Sequence, residues 1–432
     1  YDADNNVIIR NKVKGYQYVG GIFGYLGQSE EINHYNEIYN ADISASFNRV
    51  GGYAGESGWT YPIYMIGEDL TVSSTGDYAG GLYGSQGSAK YLYVNRVTVS
   101  GSDYVSGTYG NYAHTNTKDA LIANSVVSGS NYVSGYEGQR YYDVDNTRIG
   151  VHNCSITATG NYAGGIFASV EMRNTYTCFV SHTDVKAQNY AGGLAGELRC
   201  GRVYRCEIDA DVSASQAAGG LAGRMYSYTY NTMYPSYYPY TTLFRNIVSG
   251  TVNASTTLAG GLAGEFLPGD DRLNADGGVM QEAPNDMTET YFYSNLLAQT
   301  SITSGDSKRG FIAYNNNLGL PDGGKLKDSY IWEGTVLGAS GADASPGLLA
   351  GKSIVLTGNT GVKTVSTEQM KKSGSASDSA YYYVGCQQKD YWSEEDLAKD
   401  IMPYSKATDE LEILKSETES IQAQGTLSMK TI

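Results

Sequence analysis

The residues that could carry acid–base, nucleophilic or metal chemistry are few and scattered along these 432 residues. The histidines are His34, His114, His152 and His182, and none lies in a His-Glu-x-x-His zinc motif. A polysaccharide-cleaving enzyme requires clustered carboxylates with basic partners for its acid–base pair. The Asp and Glu residues of this sequence are not clustered in that way. We therefore predict no catalytic residue and no cofactor, and we expect that the chain is not an enzyme.

Two groups of oxygen-bearing side chains are weak candidates for a cation site. In the segment 268–278, alignment with an EF-hand loop puts Arg272 where the first acidic ligand belongs. Glu207, Asp209 and Asp211 alternate along a predicted strand and would share a face. A solvated acidic surface is the simpler interpretation of both groups, and we predict no metal site.

The elements that would position any site follow from a repeated phrase, Tyr-Val/Ala-Gly-Gly-aliphatic-x-Gly. Its first glycine, here called the anchor, recurs with early spacings of 31, 29, 26, 28, 30, 28 and 27 residues. The anchors are Gly20, Gly51, Gly80, Ser106, Ser134, Gly164, Gly192, Gly219 and Gly260, with degenerate copies at Arg309 and Pro346. A fixed period of this size predicts an all-β fold, a β-solenoid (β-helix) of about ten to eleven coils with a small irregular or mixed C-terminal cap.

Each repeat contains a strand signal and a glycine corner. An aliphatic residue in an alternating run precedes each anchor by seven or eight residues, which predicts a half-buried strand. These residues are Val13, Ile43, Val72, Val99, Val127, Ile156, Val185, Val212, Val252 and Ile302. The glycines supply positive φ or room for a close backbone. Gly107 and Gly135 are retained where serine replaces the anchor, so we expect the second glycine to be the position with the stricter conformational requirement.

Tyrosine is the unusual component, with 40 residues against 8 Phe. Stacking places equivalent residues about 4.8 Å apart, so the tyrosines two positions before the anchors predict a ladder that joins neighbouring coils. The ladder residues are Tyr18, Tyr78, Tyr104, Tyr132, Tyr162 and Tyr190. A strip that stacks against a ligand is the alternative interpretation.

The five cysteines are too few for a disulfide scaffold. Cys178 precedes Gly192 by 14 residues and Cys206 precedes Gly219 by 13, so adjacent coils would bring the two thiols close together. A disulfide between them and a pair of buried thiols that pack as small apolar groups both fit this spacing.

The spacing widens after Gly219, which indicates inserts at about 226–242 and 266–290. The first insert is tyrosine-dense and uncharged, a composition that favours a contact surface. Its candidate binding residues are Tyr226, Tyr228, Tyr230, Tyr234, Tyr237, Tyr238 and Tyr240. We assign the solenoid to 1–352, a C-terminal cap to 353–406 and an acidic tail or linker to 407–432.

The phrase at 18–24 and its relatives at 78–84, 190–196 and 217–223 resemble the GLUG repeat. That repeat occurs in bacterial surface proteins, including adhesins and the noncatalytic repeat regions of IgA-protease-type zinc metallopeptidases of Gram-positive bacteria. The run at 367–370, with the later Tyr391-Trp392 and Pro403-Tyr404, is similar to the segment that commonly closes such arrays. The resemblance implies an extracellular location, at the cell surface or cell wall, and a catalytic domain outside this chain if the chain belongs to such a peptidase.

These observations favour a noncatalytic extracellular surface module, namely a stalk, an adhesin or a fibre subunit. Its expected partners are host or bacterial surface proteins or glycans, bound through the tyrosine-rich inserts, and further copies of itself in a fibre. The net charge of −15 disfavours binding to nucleic acid. The sequence contains no run of 18 apolar residues, so we expect no membrane span in this chain. The alternatives are a polysaccharide-degrading β-helix enzyme and the noncatalytic region of a larger surface metallopeptidase.

Overall fold

The structure is a computed structural model, and the account below concerns only the residues that it describes. These residues are 5–9, 12–27, 35–58, 64–87, 89–113, 119–140, 146–171, 174–199, 202–204, 206–227, 242–244, 246–268, 291–293, 296–297, 301–305, 309–314, 325–327, 329–332, 336–337, 349–350 and 362–365. Within these ranges every regular element is a β-strand and no residue is helical. The expected all-β fold class is therefore confirmed.

The strands are named here in chain order. The first are β1 (Asn5–Ile9), β2 (Lys12–Gly20), β3 (Phe23–Leu26), β4 (Tyr35–Gly51), β5 (Ala54–Ser57), β6 (Tyr64–Ser74), β7 (Ala79–Gly80), β8 (Gln86–Gly87), β9 (Tyr91–Asn95), β10 (Thr98–Ser100), β11 (Asp103–Ser106), β12 (Tyr112–Ala113), β13 (Asp119–Ala123), β14 (Val126–Gly129), β15 (Asn131–Ser134), β16 (Glu137–Arg140), β17 (Asn146–Thr147), β18 (Ile149–His152), β19 (Ser155–Ala158), β20 (Tyr162–Gly164) and β21 (Phe167–Glu171). They are followed by β22 (Asn174–Tyr176), β23 (Phe179–Ala187), β24 (Tyr190–Gly192), β25 (Ala195–Arg199), β26 (Arg202–Tyr204), β27 (Glu207–Ala214), β28 (Ala217–Gly219), β29 (Ala222–Ser227), β30 (Thr242–Phe244), β31 (Ile247–Ala254), β32 (Leu258–Pro268), β33 (Tyr291–Tyr293), β34 (Leu296–Leu297), β35 (Ser301–Ser304), β36 (Arg309–Tyr314), β37 (Lys325–Lys327), β38 (Ser329–Trp332), β39 (Val336–Leu337), β40 (Leu349–Ala350) and β41 (Val362–Val365).

The chain forms two compact units. The first contains the described residues up to Ser169 together with Cys178–Ala187. The second contains Val170–Thr177 and the described residues from Gln188 onward. Each unit is a stack of parallel coils, as the repeat predicts for a β-solenoid.

In the first unit, strands from successive coils pair in parallel and in register. One stack runs β2, β4, β6, β10, β14, β19 and β23. Its register places the predicted aliphatic residues opposite one another in a single column. Ile43 and its partners further along the stack are at most 1% exposed, so they form the core of each coil. This burial explains the period-two pattern of the sequence, because alternate residues of each strand face water.

The second unit repeats this arrangement. Its main stacks run β27, β31 and β35, and β24, β28, β32 and β36. Gly260 pairs with Gly310, so the anchor of the next coil is Gly310, and the assignment to Arg309 is wrong by one residue. The reason is that this coil has a single glycine, Gly310, which the spacing assigned to the second-glycine column; the register shifts of this pair of strands come after it, where β32 has the extra residues. β41 pairs with β38. Of these two strands, β41 lies inside the segment 353–406, which the sequence analysis assigns to the cap.

The glycine corners depend on close packing and not on positive φ. A Cβ added to Gly81 would overlap the carbonyl oxygen of Gly107, and one added to Gly107 would overlap that of Gly135. The second glycines therefore form their own column, in which each backbone lies against the next coil. Among the described glycines, only Gly250 has a positive φ, at 91°. The anchor glycines are equally crowded, since a Cβ added to Gly80 would overlap the carbonyl oxygen of Tyr83, so the structure gives both glycines a steric requirement and does not single out the second.

Candidate functional site

The predicted tyrosine ladder is present in the first unit. The ring centroids of Tyr78 and Tyr104 are 5.1 Å apart with planes 8° from parallel, and those of Tyr104 and Tyr132 are 4.8 Å apart at 6°. Tyr132 and Tyr162 continue the column at 5.2 Å and 38°. Stacked pairs of this kind contribute roughly 0.5–1.5 kcal/mol each beyond their buried area. The ladder therefore couples successive coils.

Backbone conformation places these rings in a column. Tyr18, Tyr78, Tyr104 and Tyr132 all have φ between 53° and 62°, in the left-handed region that non-glycine residues seldom occupy. Because the same unusual corner recurs in these four coils, their rings leave the backbone in the same direction. Among the described residues, positive φ occurs at these ladder positions and at a second corner that includes Asp69, Arg96 and Asn124, and not at the glycine pair as the sequence suggested.

Arg49 occupies the ladder position of the one coil between Gly20 and Ser134 that lacks a ladder tyrosine. Its φ of 56° matches that of the tyrosines. Its guanidinium carbon lies 5.0 Å from the centre of the Tyr18 ring and 5.4 Å from that of Tyr78, within the range of a cation–π interaction. Nε of Arg49 lies 2.5 Å from Oε2 of Glu56, and the two side chains are 26% and 18% exposed. The guanidinium therefore fills the missing position of the ladder.

A second aromatic column runs through the interior of the first unit, and the sequence analysis did not identify it. Its neighbouring ring centroids are 5.4–6.0 Å apart. The column consists of Phe23, Tyr53, Tyr83, Tyr109, Tyr136 and Phe167. Its four tyrosines are at most 1% exposed, and burial raises the pKa of Tyr83 well above its usual value. The four tyrosines belong to the core and are closed to a ligand, whereas Phe23 at one end of the column is partly exposed.

Polar side chains form further columns at the surface of the first unit. Nε and Nη2 of Arg96 donate to the two carboxylate oxygens of Asp69 at 2.7 and 2.8 Å, and Nη2 also donates to Glu68 at 2.7 Å. Further along, the Nδ2 atom of Asn153 donates to Asn124 at 2.7 Å. These hydrogen bonds join one coil to the next, because the donor and the acceptor side chains belong to neighbouring coils.

In the second unit, the structure brings carboxylates and arginines together that the sequence analysis described as scattered. Glu197, Arg224 and Glu265 lie opposite one another in neighbouring strands. Nε of Arg224 is 2.8 Å from Oε2 of Glu265, whose side chain is 3% exposed. Nη2 of Arg199 is 2.7 Å from Oε2 of the fully buried Glu197. All of these residues lie five or seven positions after an anchor, which is the signal that a column-by-column alignment would have provided.

Tyr190, the predicted ladder residue of this unit, belongs to the same charged group. The guanidinium carbon of Arg224 lies 4.9 Å from the centre of its ring. Burial, together with the nearby Glu265 carboxylate, raises the pKa of Tyr190 to about 12. Ala217 takes the ladder position in the next coil, so a guanidinium again contacts a tyrosine where the neighbouring coil has no ring.

Three of the five cysteines lie in the described ranges. Cys154, Cys178 and Cys206 are buried thiols. Burial raises the pKa of Cys154 to about 12. The backbone N–H of Cys206 donates to Oδ1 of Asn246 at 3.0 Å. The thiols pack among buried groups, and the disulfide between Cys178 and Cys206 stays a prediction.

The predicted contact surface lies almost entirely outside the described residues. Tyr226 belongs to β29 and pairs through its backbone with Arg199. The remaining candidates, Tyr228, Tyr230, Tyr234, Tyr237, Tyr238 and Tyr240, are outside the described ranges. Most of 266–290, and all of 353–406 except β41, also lie outside them.

The weak cation candidate on β27 is occupied by hydrogen bonds within the fold. Asp209 and Asp211 accept hydrogen bonds from Ser249 and Thr251 at 3.2 and 2.5 Å, and Glu207 is 1% exposed. Across the described ranges no group of three or more His, Cys, Asp or Glu side chains could hold a metal ion. The same ranges contain no helix long and apolar enough to cross a membrane.

No known family model matches the chain, and no curated protein or solved structure shows significant similarity to it. The resemblance to the GLUG repeat therefore stays a prediction that rests on the residues quoted above.

Proposed function

We propose that the protein is a noncatalytic extracellular surface module, a stalk, adhesin or fibre subunit of the GLUG-repeat type. In this proposal the stacked coils hold the tyrosine-rich insert at 226–242 in position to contact a glycan or a surface protein. The location at the cell surface or cell wall and the possibility of fibres of identical copies belong to the same proposal.

One observation carries the proposal: equivalent side chains of neighbouring coils bind one another. Tyr104 stacks on Tyr78, and Arg96 pairs with Asp69 of the preceding coil. A protein organised in this way gains stability with each added coil, because each repeat contacts its neighbours. Such an organisation suits a spacer that carries a separate contact segment.

The composition of the insert supports a contact role. Tyrosine offers a large amphipathic contact area with few rotatable bonds, which is why it predominates in binding loops. The seven candidate tyrosines occur within 15 consecutive residues that contain no charged side chain. A glycan or a neutral protein surface is the partner that such a segment fits best.

Arrays of glycans and of host surface proteins test the proposal. We expect the full chain to bind at least one class, and a variant with the seven candidate tyrosines changed to serine to lose binding at least tenfold. Tyr16→Ser is the matched control, since this side chain is 65% exposed and lies far from the insert in sequence. Absence of binding on both arrays, combined with no self-association at high concentration in electron microscopy, would contradict the proposal.

A second candidate function is favoured by the charged group of the second unit. Glu197, Arg224 and Glu265 with Tyr190 bring together carboxylates and a basic partner of the kind that a polysaccharide-degrading β-helix enzyme needs. Both carboxylates are buried, so this candidate function requires the group to open to its substrate. Incubation with acidic polysaccharides and a measurement of new reducing ends tests this candidate. Cleavage that Glu197→Gln abolishes while the fold is kept would favour the enzyme over the surface module.

A further inference from the structure

The ladder formed by Tyr78, Tyr104, Tyr132 and Tyr162 brings four phenols together along one line. Its first three members stack with centroid separations of 5.1 and 4.8 Å and nearly parallel planes. The backbones that carry them are held in register on both sides of Tyr104, where Val105 pairs with Ala79 and with Val133. The rings are thus held next to each other before any reaction occurs.

Access distinguishes this ladder from the interior aromatic column. Tyr78, Tyr104 and Tyr132 are partly exposed, whereas Tyr83 and Tyr109, which also stack at 5.4 Å, are fully buried. An oxidant in solution therefore reaches the ladder and not the interior pair. The two columns of one molecule form an internal comparison between accessible and inaccessible stacked tyrosines.

We propose that this ladder is a site of oxidative dityrosine cross-linking between adjacent coils, with Tyr104 and Tyr132 as the preferred pair. The co-reactant is a peroxide used by a haem peroxidase or another one-electron oxidant. Each phenol loses one electron and its hydroxyl proton, and the two phenoxyl radicals then form a carbon–carbon bond between their ortho positions. The ortho hydrogens move to the oxygens and restore both phenols, so two phenols and one hydrogen peroxide give one dityrosine and two waters.

The cross-link would tie one coil to the next. A covalent bond between Tyr104 and Tyr132 closes a loop of about 28 residues and restricts the unfolded chain, as a disulfide across the same span does. A protein at an oxidising surface would thereby become harder to unfold without any change in its fold. The proposal does not depend on the ligand or the partner of the insert.

Peroxidase treatment of the full chain at low protein concentration tests the proposal. The blue fluorescence of dityrosine is measured together with the mass of trypsin fragments, and a linked pair has lost two hydrogen atoms. Cleavage after Lys90, Arg96, Lys118 and Arg140 puts Tyr78, Tyr104 and Tyr132 in different fragments. The interior tyrosines share these fragments, so fragmentation of the linked peptides in the mass spectrometer identifies which tyrosine carries the link. We expect a Tyr104–Tyr132 link in monomeric protein, with a yield independent of protein concentration.

Two variants make the assignment specific. Tyr132→Phe keeps an aromatic ring but cannot form a phenoxyl radical, so the link should move from Tyr132 to Tyr78. Tyr109→Phe removes a phenol from the interior column and should leave the ladder link unchanged. Unfolding in urea before oxidation should abolish the preference for the ladder pair, because the register that aligns the rings is lost.

Three results would overturn the proposal. One is cross-linking found only between molecules, with a yield that rises with protein concentration. Another is intramolecular links confined to the tyrosine-rich insert. The third is a Tyr104–Tyr132 link that forms equally well in the urea-unfolded chain, since the folded ladder would then have no part in it.

Discussion

The guanidinium carbon of Arg49 lies 5.0 Å from the centre of the Tyr18 ring, and a cation thereby continues a column of aromatic rings. Nη1 of Arg49 also donates a hydrogen bond to the Tyr18 hydroxyl at 3.2 Å. Tyr78 contacts the guanidinium from the next coil, and Glu56 balances its charge. One side chain thus joins three successive coils of the first unit.

Replacement of this arginine should weaken the first unit. Arg49→Ala removes two cation–π contacts of about 0.5–1 kcal/mol each and leaves Glu56 without its arginine, so we expect a loss of about 2–3 kcal/mol in unfolding free energy. Urea unfolding followed by circular dichroism measures it. Lys12→Ala is the control, because the Lys12–Asp42 pair is more than 60% exposed at both side chains. A loss no larger than that of the control would rule out a structural role for Arg49.

The column of second glycines should not tolerate a methyl group. Gly81→Ala would push a Cβ against the carbonyl oxygen of Gly107, and the backbone cannot move without breaking the stack. We expect a loss of at least about 3 kcal/mol in unfolding free energy or failure to fold. Gly27→Ala is the matched control, since a Cβ there has no neighbour within 4 Å. Equal stability of the two variants in thermal unfolding would show that the coils are less closely packed than described.

Stability on the acid side should depend on Asp69. The Arg96 guanidinium lowers the pKa of this carboxyl. A carboxyl with a lowered folded-state pKa stabilises the fold above its unfolded pKa, about 4, and that stability is lost as the pH falls through the folded pKa. We expect the melting temperature of Asp69→Asn to fall less steeply than that of the wild type below about pH 4. The effect should be small, because Asp69 and Arg96 are 40% and 50% exposed.

The pKa of Glu37 is shifted in the opposite direction from that of Asp69, so Glu37 should affect the stability of the fold at higher pH. Burial raises the pKa of this carboxyl, so its contribution is full below the unfolded pKa and is lost as the pH rises through the folded pKa. The wild type should therefore lose unfolding free energy as the pH rises through the folded pKa of Glu37, and the Glu37→Gln variant should not show this loss. If both variants shift the profile in the same direction, the two environments are not as described.

The charged group of the second unit should be costly to break. Arg224→Met removes the arginine partner of the buried Glu265 carboxylate, and we expect a loss of about 3 kcal/mol in unfolding free energy. The double variant Arg224→Met with Glu265→Gln should recover part of that loss, because the buried negative charge is then removed together with its arginine. Lys186→Met, at an exposed ion pair with Asp184, is the control. A double variant less stable than the single one would contradict this account.

The period of the sequence predicted the fold class and the tyrosine ladder because parallel strands in register carry any repeated residue into a column. Tyr78, Tyr104 and Tyr132 recur at a constant offset from their anchors and were found for that reason. The interior column was missed because its offset varies: Tyr53 and Tyr136 follow their anchors by two residues, and Tyr83 and Tyr109 by three. Bridges of Ala54 to Tyr83 and of Tyr109 to Glu137 show this shift of one residue.

The charged contacts needed a different kind of reasoning. Arg49 interrupts the tyrosine ladder, and an alignment that seeks the repeated residue treats it as an exception. Glu56, Arg224 and Glu265 each lie five residues after an anchor, in a column with no constant residue type, so their pairing follows only when the charges within that column are compared. The positive φ of the ladder positions had no sequence signal, since tyrosine and arginine are not the residue types that favour this conformation.

The constant register has a consequence for how the protein can change in length. Deletion of residues 105–132 would join Tyr104 to Val133, and Tyr104 would then stand between Tyr78 and Tyr162 in the place of Tyr132. Every remaining column would keep its continuity, whereas deletion of half that segment would misalign all of them. Gene duplication and loss can therefore act here in steps of one whole repeat, and variants of this protein with different copy numbers should all remain foldable.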